Sequence, residues 1–136
     1  MKIILSFLAL FIFSSVHNIQ VKDAWLRPAK TGMNSALYLK IVNNSDKADT
    51  LYKVTYKYDE MTQMHKTIIK GNLTGMKMMP FIAIKAHSTF EFMPGKFHIM
   101  LINLTKDLSP GEKRNFKLYF KSGQTVDVTA EVRGAE

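Results

Sequence analysis

His65, Met76, His98 and Met100 form the pattern His-x10-Met-x21-His-x-Met in a chain with only four histidines and nine methionines. Two imidazoles with two thioethers are a donor set of narrow chemistry. Thioether sulfur is soft, uncharged and unprotonated at physiological pH, and it favours Cu(I) over harder ions. Zinc sites draw on Cys, His, Asp and Glu, so two methionines argue against zinc. The chain has no cysteine, which excludes a blue-copper centre, since that requires a thiolate. Thiol redox enzymes, cysteine nucleophiles and thiolate zinc sites are excluded on the same ground. A copper oxidase would need more imidazole to stabilise Cu(II). The neutral set suits holding Cu(I) and handing it over, which fits a carrier better than an enzyme.

Taken singly, a histidine on a strand is usually a hydrogen-bonded structural residue, and a methionine usually fills core space. Four constrained positions taken together favour ligation. The segment Met76-Lys77-Met78-Met79 leaves an ambiguity, because it offers three sulfurs in four positions. The spacing selects Met76, and Met78 would share its face on an extended segment. Met33, Met61, Met64 and Met93 read as packing or rim residues, His87 as a turn residue, and His17 as part of the leader. Trp25 reads as a core anchor.

The elements that must position these side chains are short, extended and separated by turns. Residues 21–27, 36–43, 51–58, 61–69, 78–86, 90–93, 98–104, 116–120 and 125–132 read as strands, with turn clusters such as Asn43-Asn44-Ser45-Asp46 and Ser109-Pro110-Gly111 between them. Pro80 suggests an edge position or an irregular start for the fifth of them. About eight or nine strands with no amphipathic helix predict an all-β sandwich or small barrel. On such a strand His98 and Met100 point to one side, while Ile99 and Leu101 face the core.

Around this domain the composition sets bounds. Lys2 followed by the apolar run 3–13 and Ser14-Ser15-Val16 predicts a signal peptide over residues 1–19. The run is too short to span a bilayer, which takes ~20 apolar residues; an uncleaved anchor or a buried N-terminal segment is the other reading. Residues 20–136 then make one domain with a single core. The chain carries 19 basic and 11 acidic residues, and without Lys2 the balance of 18 against 11 is +7. The lysines stand singly along the sequence, with no nucleic-acid module, so the charge can steer the domain towards acidic partners or anionic lipid. No nucleophile elbow, phosphate loop or dinucleotide fingerprint is present.

The chain resembles the periplasmic copper chaperone family called PCu(A)C over nearly the whole of this domain. Asp23-Ala24-Trp25-Leu26-Arg27 is similar to the family's opening strand and Ala36-Leu37-Tyr38-Leu39-Lys40-Ile41-Val42-Asn43 to its second. Asp49-Thr50-Leu51 and Pro94-Gly95-Lys96-Phe97-His98-Ile99-Met100-Leu101 resemble later segments. The family ligand pattern carries over to His65, Met76, His98 and Met100. The resemblance implies a cupredoxin-like Greek-key β-sandwich, a monomer, that binds one Cu(I) in the periplasm. It also implies delivery to the copper-receiving subunit of cytochrome c oxidase, a CuA-type site, alongside a Sco-type thiol protein. Lys96 departs from the family where a second glycine is usual, and Lys66 where some members carry methionine. Two other expectations compete: a protein that sequesters copper without delivering it, and a metal-free β-sandwich acting as an interaction module.

Overall fold

A computed structural model describes residues 18–134. The leader expected at the N-terminus lies outside the described residues, except for Asn18 and Ile19. Ile19 is already buried and opens the first strand.

The described residues hold ten strands and no helix: β1 (Ile19–Leu26), β2 (Ser35–Asn43), β3 (Asp49–Tyr56), β4 (Met61–Lys70), β5 (Leu73–Met78), β6 (Ile82–Ile84), β7 (Ser88–Phe92), β8 (Phe97–Ile102), β9 (Lys113–Phe120) and β10 (Thr125–Val132). The count exceeds the expected eight or nine because Leu73–Met78 forms a strand that was not expected, while the stretch expected over 78–86 shortens to Ile82–Ile84. Leu73–Met78 pairs with β4 as the second arm of a hairpin, and Pro80, which has no N–H to donate, separates it from β6. Met76 accordingly sits within a strand.

Hydrogen bonding runs along one path, β5-β4-β8-β2-β1-β10-β9-β3-β6, with β7 paired to β2 beside β8. Most pairs are antiparallel. The exception is β1 with β10, which run parallel and place Trp25 beside Glu131 and Leu26 beside Val132. The path curls on itself, because strands far apart along it share one core. Leu37, Leu39 and Ile41 of β2 join Leu51 and Val54 of β3, Ile84 of β6, Ile99 and Leu101 of β8, and Leu118 of β9 in a single cluster. This is the face-to-face packing of a sandwich built from alternating side chains.

Two irregularities break the simple alternation. In β3 the register shifts between Leu51 and Lys53, so Leu51 and Val54 are both buried, although a strict period of two would put them on opposite faces. In β1 the shift falls between Lys22 and Trp25, with Asp23 at a φ of 53°. Trp25 is only part-buried there. Its ring lies 4.8 Å from that of Tyr38, and the Arg133 guanidinium sits 5.1 Å above it. It is therefore an edge of the core and not the anchor its composition suggested.

Candidate metal centre

The site is built on the three strands at one end of the path. Gly71-Asn72 closes the β4–β5 hairpin in a two-residue turn, with Lys70 opposite Leu73 and Gly71 at a φ of 59°. Glycine at the first central position is what this turn geometry needs. Pro94-Gly95 turns the chain into β8, Gly95 having a φ of 82°. β8 then pairs with β4 on one side and β2 on the other.

Register decides which side chains meet. His65 of β4 lies directly opposite His98 of β8, and on its other side directly opposite Met78 of β5. Cross-strand partners project to the same face about 5 Å apart, so Met78, His65 and His98 form one row. In the next row towards the hairpin turn Met76 is opposite Thr67, and in the row on the other side Met100 is opposite Gln63. Met100 also faces Ala36 of β2, a small neighbour that leaves room above the sheet. Ile99 and Leu101, between and after the β8 donors, are fully buried on the other face. The four residues selected by spacing thus share one face across three strands, with Met78 placed among them.

The two imidazole rings are 5.5 Å apart between centroids and inclined at 67°. A metal–nitrogen bond is ~2 Å, and two rings sharing an ion therefore sit up to roughly 6 Å apart. The observed spacing falls within that reach. His65 Nε2 lies 2.9 Å from Gln63 Oε1. An amide oxygen only accepts, so this nitrogen carries the proton and Nδ1 keeps a lone pair. His65 Nδ1 is buried and has no hydrogen-bond partner. His98 bonds the Lys96 backbone, while its Nε2 is likewise buried and unpartnered. Buried polar atoms are nearly always satisfied. Two bare imidazole nitrogens on neighbouring rings, each ring oriented by a hydrogen bond at its other nitrogen, match the way metal-ligating histidines are held.

The surrounding donors are uncharged. Along this face β4 presents Met61, Gln63, His65, Thr67 and Ile69, and β5 presents Thr74, Met76 and Met78. Met76 is 61% exposed and Met78 53%, whereas His98 is 5% exposed. The pair of imidazoles is therefore the inner half of the site, and the β5 sulfurs form an outer half open to solvent. Among the described residues no group of three or more His, Cys, Asp or Glu side chains converges anywhere, so a harder ion has no competing nest there.

Sequence reasoning missed two features. Gln63 orients His65, and its position two residues earlier on the same strand was the available signal. Arg27 stacks over the Tyr38 ring at 5.5 Å, bonds the Tyr38 hydroxyl at 3.1 Å, and lies close enough to disfavour a charged His98. Nothing in the linear pattern pointed to that contact.

Burial holds both histidines below the ordinary imidazole pKa; at His98 the neighbouring His65 adds to the effect, and the bond to the Lys96 backbone opposes it. The sign of the consequence is fixed. Below the ordinary value of ~6.5 the unfolded chain takes up protons that the folded chain refuses, so stability is full above that pH and falls as pH drops towards the depressed folded values. Urea melts of the copper-free chain at pH 7.5 and 5.5 are expected to show this loss. In a His65→Leu/His98→Leu variant the difference between the two pH values should shrink; an unchanged difference would assign it to other groups.

A profile of LpqE-like lipoproteins matches residues 19–132. A lipoprotein-type protein of Leifsonia xyli subsp. xyli, Lxx21020, is 31% identical over 116 residues, spanning 85% of this chain and 69% of its own. Among solved structures, the copper-bound PCuAC domain from PmoF2 is similar with a TM-score of 0.73 at 24% identity, over 87% of this chain and 94% of that one. The solution structure of Cu(I)-bound DR1885 from Deinococcus radiodurans is similar with a TM-score of 0.66 at 26% identity, over 88% and 83% of the two chains.

Proposed function

Because this chain belongs to the LpqE-like family and has the cupredoxin-like fold of PCuAC copper chaperone domains, we propose that it is a non-enzymatic Cu(I) metallochaperone. Its cargo is one Cu(I), held by His65, Met76, His98 and Met100. It works outside the cytoplasm as an exported, envelope-associated protein, in the periplasm where the cell has one. Its acceptor is the copper-receiving subunit of cytochrome c oxidase, reached together with a Sco-type thiol protein.

One observation carries this reading. The two histidines face each other across β4 and β8, each with a buried nitrogen that no protein group satisfies. Such atoms cost stability unless a ligand uses them. The donors rank by accessibility, from buried imidazole to exposed thioether, which suits an ion that must leave by exchange with a partner's donors. The neutral ligand set holds Cu(I) without adding charge, and it offers no second imidazole pair to settle Cu(II).

Competition with a chromogenic Cu(I) chelator, under reducing and anaerobic conditions, tests the proposal. One equivalent is expected to bind, and the copper-free chain is expected to be folded, with its melting temperature rising on loading because the ion binds only the native state. An apo chain that is unfolded by far-UV dichroism would make the metal structural and remove the carrier reading. Failure to compete at all would leave a metal-free β-sandwich. Tight binding without transfer to an oxidase copper domain would favour sequestration.

Gln63 supplies a finer test. Its amide fixes the His65 ring but does not reach the ion, and loss of such a partner costs ~10–100-fold in metal affinity. Gln63→Leu is expected to weaken Cu(I) binding within that range and to leave the copper–nitrogen count from X-ray absorption unchanged.

A further inference from the structure

The distal half of the β4–β5 hairpin has properties the copper site does not use. Ile69, on the donor face, and Leu73, on the opposite face, flank the Gly71-Asn72 turn and are 69% and 76% exposed, the highest values among the exposed large apolar side chains of the described residues. Residues 61–90 contain four lysines and no Asp or Glu. Three of those lysines fall on the hairpin: Lys66 lies opposite Lys77, and Lys70 opposite Leu73, so all three share the face that carries Leu73. The copper donors lie on the other face. Among the described residues none of Lys66, Lys70 and Lys77 pairs with a carboxylate; Lys66 instead reaches over the Phe97 ring at 5.5 Å. The lysines that stand singly in the sequence are thus gathered by the fold beside an apolar tip.

We propose that this tip is a contact site for an anionic lipid bilayer. Ile69 and Leu73 enter the boundary between headgroups and acyl chains, and Lys66, Lys70 and Lys77 engage the headgroup phosphates. Apolar side chains flanked by lysines, which can extend their charges back to the headgroups, are the composition of a peripheral membrane contact. The size of the patch favours lipid over protein. A stable protein interface takes ~800 Å² and about 20–30 residues from each partner, whereas this tip consists of two apolar side chains and three lysines. A bilayer needs only shallow insertion and opposite charge, and the chain's net charge of +8 draws it towards an anionic surface. Contact through the tip and the lysine face leaves His65, His98 and Met100 open to an acceptor. This inference is independent of the copper reading and stands or falls without it.

The absence of cysteine makes the test direct. Asn72→Cys places one polarity-sensitive fluorophore at the tip of the full chain, and Thr105→Cys places one in an exposed loop beyond the other end of β8. With vesicles of phosphatidylglycerol the label at position 72 is expected to shift to the blue and to be quenched by a bilayer-embedded quencher, while the label at 105 is not. Phosphatidylcholine vesicles should give no shift. Ile69→Ser with Leu73→Ser should abolish the tip signal, and each lysine changed to glutamine should weaken partitioning by about fivefold at low salt. These side chains are exposed, and dichroism serves as the check that each variant is folded. A tip label that ignores phosphatidylglycerol overturns the proposal and leaves the tip as a protein-facing surface. Equal shifts at both labels, or a serine variant that partitions like its parent, also overturn it and assign attachment to another part of the chain.

Discussion

Replacement of His98 by leucine is expected to lower Cu(I) affinity by more than the ~10–100-fold that changes behind a ligand cost, while the copper-free protein becomes no less stable. The two halves of that result have different origins. Affinity falls because His98 is the most deeply set donor, 5% exposed, and no other imidazole can take its place opposite His65. Stability holds because His98 Nε2 is buried without a partner in the copper-free protein. An unsatisfied polar atom of this kind costs about 1–3 kcal/mol, and leucine fills similar space without it. The one hydrogen bond lost with the ring ends on Lys96, whose carbonyl still accepts from the Thr67 amide at 2.9 Å. Chelator competition measures the first effect and urea melts the second. A variant that loses affinity only because it unfolds would contradict this account of the site.

The second large effect concerns sulfur. Met76→Leu and Met100→Leu are each expected to weaken Cu(I) binding strongly, with Met78→Leu and Met79→Leu near the parent. Leucine for methionine costs the fold less than ~1.5 kcal/mol, so lost binding reports ligation. Met79 is excluded by placement: it packs against the core, and its amide bonds the Met64 carbonyl at 2.8 Å. Met78 is the serious competitor, because it is Met78 and not Met76 that lies straight across from His65. The double Met76→Leu/Met78→Leu variant should therefore bind more weakly than either single variant. X-ray absorption should count two sulfurs at the copper in the parent and one in Met100→Leu. If Met78→Leu abolishes binding and Met76→Leu does not, the ligands are His65, Met78, His98 and Met100.

The sequence carried the periodic parts of this protein and lost the parts that depend on register. Leu37, Leu39 and Ile41 recur loosely at a period of two, as do Phe116, Leu118 and Phe120 more clearly, and all six are buried where the pattern puts them. Ile99 and Leu101 face the core, so His98 and Met100 face the other way, which follows from a period of two alone. The β3 bulge was not readable, because Leu51-Tyr52-Lys53-Val54 carries no glycine to mark it. Nor was the strand character of Leu73–Met78: Gly75 in its middle reads as a turn, and only pairing with β4 shows otherwise. Spacing could nominate a sulfur, but the choice between Met76 and Met78 depends on which residue stands opposite His65.

Among the described residues β5 ends the strand path, hydrogen-bonded to β4 on one edge and to no strand on the other, and all six of its residues are exposed. A strand held this way opens at a free energy well below that of unfolding the whole domain. Its amides should exchange with solvent sooner than those of β8, which is paired on both sides. Under the proposed ligand set, such an opening withdraws one thioether and leaves His65, His98 and Met100 in place on β4 and β8. The grip on the ion is thus divided into a fixed part and a detachable part, and how long copper stays is set by how often one hairpin arm peels away.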